Sequence, residues 1–147
     1  MVSKIKSAMG RKSRAAGKRF ELKVRHDLES KDWIVCKWSN NVDLKGKGKL
    51  ISAKHTFNPF TKAMSAGTGF PDFIAYRQSE IHSWNTNDVI AVESKMTGKL
   101  DKKEKQKVEW LLDNNIFKVI LIASKGEKGE ILYEESKFAT KFKEDKS

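Results

Sequence analysis

The amino-acid sequence predicts an α/β fold with a mixed central β-sheet flanked by helices. One observation is a helical stripe, because Phe20, Val24 and Leu28 recur at i, i+4 and i+8 and would lie on one buried face. A second is a pair of short apolar segments in the middle of the chain, each long enough for one strand. A third is the nearly continuous apolar run 117–123, which is typical of a strand covered on both faces.

The helices follow from their own local signals. The first is expected over 13–31, preceded by a basic arm at 1–12. The second begins at Asp101, because Glu104 stands three residues later, which is the spacing of a capping box. Its buried face is formed by Val108, Leu111 and Leu112. Asn114 and Asn115 mark its C-terminal end. A terminal helix is expected at 136–143.

The strands are predicted from β-branched and aromatic runs between turn residues. They are expected at 33–38, 72–77, 88–95 and 117–123, with an edge strand at 130–133 and a polar hairpin at 78–87. The segment 39–69 is predicted to be a long basic loop with one short strand at 50–53. Residues 1–147 therefore form one domain with the core order αβββαβ.

The composition excludes several classes of protein. No apolar run approaches the ~18 residues that a membrane span needs. The first residues contain no apolar stretch, so no signal peptide is expected. The single cysteine, Cys36, excludes a disulfide framework and a multi-cysteine zinc site, and its strand position predicts a core residue. A free thiol of this kind favours a cytoplasmic location.

The net charge of +11 predicts a polyanionic partner, usually nucleic acid. Two blocks of cations contain no acidic residue, one with seven cations before Glu21 and one with five between Asp43 and Asp72. The candidate phosphate-binding residues are Arg11, Lys12, Arg14, Lys18, Arg19, Lys45, Lys47, Lys49, Lys54 and Lys62. Only 5 of the 30 cations are arginine, the residue best suited to reading base edges. The sequence therefore predicts recognition of DNA shape, with binding that salt weakens strongly.

Two acidic residues and one lysine are expected to meet in the sheet. Glu93 and Lys95 are two residues apart in a strand, so their side chains project from the same face. If 72–77 and 88–95 pair as a hairpin, Asp72 lies opposite the strand end that carries Glu93 and Lys95. A further acid, Glu21, lies on the edge of the buried helical stripe and four residues after Gly17, which would permit a close backbone approach.

This set of side chains suits metal-assisted hydrolysis of a phosphodiester. Carboxylate oxygens are the hard ligands that Mg²⁺ prefers, and Mg²⁺ usually takes one or two of them. Asp72 and Glu93 are the candidate metal ligands, with the backbone carbonyl of Ser94 and, as a further candidate, Glu21. Lys95 would stabilise the attacking hydroxide and the charge that develops on the phosphate. We expect Mg²⁺ as the cofactor, with Mn²⁺ able to replace it.

The ordered motif resembles the PD-(D/E)xK nuclease superfamily. The residues that carry the resemblance are Pro71-Asp72, Glu93-Ser94-Lys95 and the helical Glu21. The arrangement is most similar to archaeal-type Holliday-junction resolvases over about residues 10–124. The resemblance implies a restriction-endonuclease-like core and a homodimer that cuts four-way DNA junctions with Mg²⁺. It assigns the catalytic roles to Glu21, Asp72, Glu93 and Lys95.

The resemblance leaves several points open. A serine of that family corresponds to Ser39 or to Ser65. Gln106 with Trp110 is similar to a Gln-x-x-x-Tyr extension of related exonucleases, although surface and core roles for both residues are the simpler interpretation. The Gly-Phe-Pro-Asp segment also looks like VRR-type nuclease modules, so a flap, end or VRR-type nuclease is an alternative. A non-catalytic nucleic-acid-binding module is another. A nuclease of this kind would act in the cytoplasm on branched or duplex DNA of the nucleoid.

Overall fold

The structure is a computed structural model that describes residues 2–54, 56–65, 69–78 and 87–136. It is an α/β fold with a mixed central sheet, as the sequence predicts. The elements in chain order are α1 (Val2–Ser30), β1 (Ile34–Lys37), β2 (Asn40–Asp43), β3 (Lys49–Ser52), β4 (Thr56–Asn58), β5 (Ala63–Ser65), β6 (Phe73–Gln78), β7 (Asn87–Ser94), α2 (Lys102–Asp113), β8 (Ile120–Lys125) and β9 (Ile131–Glu135). No helix in the described ranges combines the length and the apolar character that crossing a membrane requires.

The central sheet has five strands in the order β1-β6-β7-β8-β9. All neighbouring strands are antiparallel except β7 and β8, which are parallel. Helix α2 connects these two strands, as a parallel pair requires a crossover connection. The sheet is therefore mixed because one hairpin, β6–β7, is followed by one strand–helix–strand unit.

Each helix contributes to the core on its own face of the sheet. The predicted stripe of α1 is buried, and it packs with Ile90 and Val92 of β7. Between these two residues, Ala91 points to the other face, where Val108 and Leu111 of α2 pack. This alternation along β7 is the pleat of a strand that is buried on both sides. The two helices thus hold the ends of β6 and β7 in a fixed position.

Helix α1 is longer than the sequence predicts, since it begins at Val2 rather than near residue 13. The segment 2–12 contains lysine, alanine and methionine, which are good helix formers, and no proline. Its positive charge had suggested a separate arm, but charge does not prevent helix formation. The basic residues before Glu21 therefore continue one rigid helix.

The short strand predicted at 50–53 is confirmed as β3, one residue earlier, but the prediction that the rest of 39–69 is a loop is wrong. Two hairpins lie there, β2–β3 and β4–β5, each forming a two-stranded sheet of its own. The turn of the first hairpin uses Gly46 and Gly48, both with positive φ, which glycine adopts without strain. The first hairpin is tied to α2, because the indole Nε1 of Trp110 donates a hydrogen bond to the carbonyl oxygen of Lys47 at 2.9 Å. Strands this short and polar give no clear alternating pattern in the sequence.

Smaller differences concern strand ends and Cys36. Strand β8 begins at Ile120, later than predicted, because Phe117 is buried in the preceding loop against the ring of Trp38. Cys36 is exposed rather than in the core, since Val35 is the residue of β1 that points inward. The loop between β6 and β7, predicted as a polar hairpin at 78–87, lies mostly outside the described residues. So does the terminal helix predicted at 136–143.

Candidate active site

The centre of the site is a reciprocal pair of hydrogen bonds between β6 and β7. Phe73 is paired with Val92, so Asp72 lies opposite Glu93. The backbone amide of Asp72 donates to Glu93 Oε2 at 3.1 Å, and the amide of Ser94 donates to Asp72 Oδ2 at 2.9 Å. Each carboxyl group thus accepts a hydrogen bond from the backbone of the neighbouring strand through one of its oxygens. The other oxygen, Oδ1 of Asp72 and Oε1 of Glu93, takes no part in these two bonds.

Burial makes this pair of carboxylates unusual. Glu93 is only 5% exposed. Its pKa is raised to about 9 by burial and by the negative charge of Asp72. The pKa of Asp72 is also raised by burial, against the opposing effect of the Ser94 amide. Two negative charges at this position are therefore unfavourable unless a cation lies between them.

A divalent cation would fit this arrangement. Within the described ranges, no group of three or more His, Cys, Asp or Glu side chains is placed to hold a metal ion. Of the predicted ligands, Asp72 and Glu93 line one cleft, and Glu21 lies close enough to Asp72 for their charges to interact. Mg²⁺ commonly binds proteins through one or two carboxylates and completes its shell with water and phosphate oxygens. A divalent cation would take the place of the proton that burial favours on Glu93, so that both carboxyl groups could be ionised.

Lys95 is held beside the pair by a residue of α2. Its Nζ lies 3.9 Å from Glu93 Oε1 and donates a short hydrogen bond to Glu104 Oε1. Burial acts to lower the pKa of Lys95, but the hydrogen bond and charge of Glu104, followed by the charges of Glu93 and Asp101, outweigh burial and raise it. The lysine is therefore kept as an ammonium ion. Such a group can stabilise negative charge but cannot act as a general base.

Glu104 has a second function in the site that the sequence did not reveal. The capping box was predicted and is present, with Glu104 Oε2 accepting from the Asp101 amide at 2.9 Å. The other oxygen of the same carboxylate binds Lys95. The only signal in the sequence was position, because Glu104 lies in the first turn of the helix that follows the strand end with Lys95.

Glu21 lies on α1, at the edge of the site. It is half-buried, and its pKa is raised by burial and then by the charge of Asp72. The positive charges of Lys37 and Lys18 act in the opposite direction. Lys37, at the end of β1, also interacts electrostatically with Asp72. Sequence reasoning missed Lys37 because a single lysine at a strand end carries no distinctive pattern.

The expectation that Gly17 permits a close approach near Glu21 is wrong. A Cβ atom at Gly17 would meet nothing within 4 Å. The close approach occurs instead at Gly69, where a Cβ would overlap the carbonyl oxygen of Trp38 and lie 2.9 Å from that of Asn40. Gly69 therefore lets the turn before Asp72 pack directly against the backbone that follows β1.

A cleft of about 300 Å³ opens over the two carboxylates. Besides Asp72 and Glu93, it is lined by Asn41, Gly69, Phe70, Asp101, Lys103, Glu104 and Lys107. The Nζ of Lys107 lies 5.6 Å from the centre of the Phe70 ring. The lining therefore carries four carboxyl groups, those of Asp72, Glu93, Asp101 and Glu104, and two lysines, Lys103 and Lys107.

The ten predicted phosphate-binding residues are all exposed. None of them forms an ion pair within the part of the chain that the structure describes. Five lie on α1 and the other five lie on or beside the two hairpins. Their charges are therefore available to an external anion.

Three of the candidate accessory residues, Gln106, Trp110 and Ser39, do not line the cleft. Gln106 is exposed on α2, and Trp110 binds the β2–β3 hairpin. Ser39 is exposed and follows Trp38, whose backbone amide donates to the carbonyl oxygen of Asp72 at 3.0 Å. Ser65 is the last residue of β5.

Replacing Gly69 by alanine is expected to destabilise the protein by roughly 1–3 kcal/mol, because the added Cβ overlaps backbone atoms that cannot rotate away. Urea unfolding followed by circular dichroism would measure the change. The matched control is Gly17→Ala, which adds a Cβ in open space within a helix and is expected to be neutral or stabilising by up to ~1 kcal/mol. Equal unfolding midpoints for Gly69→Ala and the wild type would contradict the close approach.

Two buried carboxyl groups with an ammonium ion beside them are an arrangement through which a protein would hold a divalent cation. With such an ion bound, these groups would polarise a phosphate and stabilise the charge that develops on it. Comparisons of the chain with protein-family models, with curated proteins and with solved structures gave no match.

Proposed function

We propose that the protein is a metal-dependent nuclease with a restriction-endonuclease-like core. The observation that carries the proposal is the reciprocal pairing of Asp72 and Glu93 across β6 and β7, with the Lys95 ammonium 3.9 Å from Glu93. A mixed five-stranded sheet with a helix on each face is compatible with such a core. A structural ion pair would not need two carboxyl groups held side by side through the backbone of paired strands.

Each residue of the site would have a separate role in phosphodiester hydrolysis. Asp72, Glu93 and the Ser94 carbonyl would hold Mg²⁺, which polarises a phosphoryl oxygen and lowers the pKa of a bound water. Lys95, kept charged by Glu104, would stabilise the negative charge that develops as the hydroxyl group of water joins phosphorus. One P–O bond breaks, and the departing oxygen takes up one proton in exchange for the proton that the attacking water releases to solvent. Glu21 would orient water at the edge of the site.

Branched DNA is the proposed substrate, and a homodimer in the cytoplasm is the proposed active form. The exposed cations of α1 and of the two hairpins support a DNA partner, because the ten predicted phosphate-binding residues form no ion pair among the described residues and can contact an external anion. Lysine predominates among them, which favours recognition of backbone shape. The four-way junction is proposed as the substrate because the sequence motif resembles that of archaeal-type Holliday-junction resolvases.

A junction-cleavage assay tests this proposal. A four-way junction with one labelled strand at a time should give paired, symmetric nicks in Mg²⁺ and none in EDTA. A linear duplex of the same length and composition is the control substrate. Equal cleavage of junction and duplex would reject the choice of substrate, and no cleavage of either DNA in Mg²⁺ or Mn²⁺ would reject the nuclease.

A non-catalytic nucleic-acid-binding module is the second candidate. The observation that favours it is that the described residues offer two acidic ligands rather than three. Calorimetric titration with Mn²⁺ separates the two candidates. A site near Asp72 and Glu93 predicts one bound ion that Glu93→Gln removes, whereas a binding module predicts full DNA affinity with no ion bound.

A further inference from the structure

The β4–β5 hairpin presents apolar side chains to solvent. Phe57 and Met64 form a direct cross-strand pair and are 56% and 63% exposed. Phe60, in the turn, is 95% exposed. Large apolar groups that are grouped and exposed in this way usually mark an interaction site.

The turn that carries Phe60 has a defined conformation. The side-chain oxygen of Asn58 accepts hydrogen bonds from the amides of Phe60 and Thr61, at 2.9 and 3.4 Å. Pro59, between Asn58 and Phe60, has a φ angle that is fixed by its ring. Lys62 closes the turn with a φ of 51°. The aromatic ring is thus presented on a preorganised tip, which lowers the entropy lost on binding.

The base of the hairpin lies at the rim of the cleft. Ala53, before the hairpin, donates its amide to the carbonyl oxygen of Ser39 at 2.8 Å. Phe70, after the hairpin, donates its amide to the carbonyl oxygen of Asn40, also at 2.8 Å, and Phe70 lines the cleft. At about 3.3 Å per residue, the chain from Lys54 to Phe60 can reach roughly 20 Å from this base. This reach would let Phe60 contact DNA bases near a phosphate that is bound in the cleft.

The positive charge around the hairpin indicates which kind of partner would contact its apolar tip. No acidic residue occurs between Asp43 and Asp72, whereas Lys54 and Lys62 flank the apolar tip. A second copy of the same hairpin would bring like charges together. A nucleic acid supplies phosphates for the lysines and flat bases for the phenylalanine ring.

We propose that the β4–β5 hairpin is a wedge for unstacked bases in DNA. Phe60 stacks on a base at the branch point, or inserts at that step, while Lys54 and Lys62 contact the flanking phosphates. This inference rests on the proposed function, because it deepens the choice of branched DNA as substrate. The wedge would give the protein a preference for branched over continuous DNA without any contact that reads base sequence.

Binding in EDTA tests the wedge separately from cleavage. The probe is a four-way junction with 2-aminopurine at a branch-point position, whose fluorescence rises when the base is unstacked. Wild-type protein should raise this emission, and Phe60→Ala should abolish the rise. Phe60→Ala should also weaken junction binding roughly 5- to 100-fold, as expected for the loss of one aromatic–base stack. Affinity for a continuous duplex should change little.

Two further variants make the outcome specific. Phe60→Trp should restore the fluorescence change, because tryptophan also stacks on bases. Leu132→Ala, which removes a 51% exposed apolar side chain on β9, should leave both measurements unchanged. An unchanged fluorescence response with Phe60→Ala would overturn the wedge, as would an equal loss of affinity for duplex and junction. Loss of a dimer in sedimentation with DNA affinity intact would instead make a second copy the occupant.

These results are independent of the nuclease assay. If junctions are cut normally by Phe60→Ala and the fluorescence response is unchanged, the wedge fails while the proposed function stands. If no DNA is cut but Phe60→Ala still abolishes the fluorescence change, the wedge stands and the nuclease fails.

Discussion

Asp72→Asn is expected to reduce junction cleavage by at least ~100-fold in saturating Mg²⁺. The substitution keeps the side-chain volume and an oxygen that can accept from the Ser94 amide, but it removes the charge that would hold the metal ion. Loss of a residue that merely supports a metal ligand already costs about 10- to 100-fold. Loss of a ligand should cost more. The measurement is the single-turnover cleavage rate of a labelled four-way junction.

The same variant should bind the junction in EDTA at least as well as the wild type. Removing a carboxylate from a basic protein lowers its repulsion of phosphate. Asp113→Asn is the matched control, because it removes an exposed carboxylate at the end of α2 and should cut at the wild-type rate. A wild-type cleavage rate for Asp72→Asn would show that the site lies elsewhere in the chain.

The metal-free protein is expected to become less stable as the pH rises from about 5 to 9. The pKa of Glu93 is raised to about 9 in the folded state, from an ordinary value of 4.5. Its contribution to stability is therefore fully present below pH 4.5 and is lost as the pH approaches 9. At about 1.4 kcal/mol for each unit of pKa difference, the loss amounts to several kcal/mol. Urea unfolding in EDTA at a series of pH values measures it.

Glu93→Gln isolates this effect, because glutamine resembles the protonated side chain at every pH. The variant should have a flatter pH profile and should exceed the wild type in stability near pH 9. Glu109→Gln, which changes an exposed carboxylate of α2, should keep the wild-type profile. Mg²⁺ should raise the stability of the wild type most at high pH and have little effect on Glu93→Gln. Parallel profiles for wild type and Glu93→Gln would contradict the raised pKa.

The central pair could be predicted because strand geometry is regular. Once 72–77 and 88–95 were interpreted as a hairpin, the two-residue period placed Asp72 opposite Glu93, and the hydrogen bonds join these residues. The capping box of α2 could be predicted equally well from the sequence, because it depends on two residues that are three positions apart. The buried stripe of α1 follows from helical periodicity in the same way. Local rules of this kind need no knowledge of the rest of the fold.

The features that were missed depend on contacts between distant segments. Lys95 meets Glu104 only because β7 and α2 are packed together, and nothing in the strand indicates this partner. The β2–β3 hairpin depends on Trp110, which is 63 residues from Lys47. Cys36 was assigned to the wrong face because β1 is short and carries apolar residues on both sides. In each case the deciding interaction is tertiary, so a local pattern could not specify it.

The two bonds of Glu104 link local opening of α2 to the chemistry of the site. One oxygen completes the cap that begins the helix, and the other holds the Lys95 ammonium. If the first turn of α2 frays, the lysine loses its partner and the arrangement around Glu93 is lost at the same time. Helix ends open at much lower free energy than whole domains. Cleavage by the proposed nuclease should therefore decline on warming before the sheet unfolds, in parallel with faster amide hydrogen exchange in this turn.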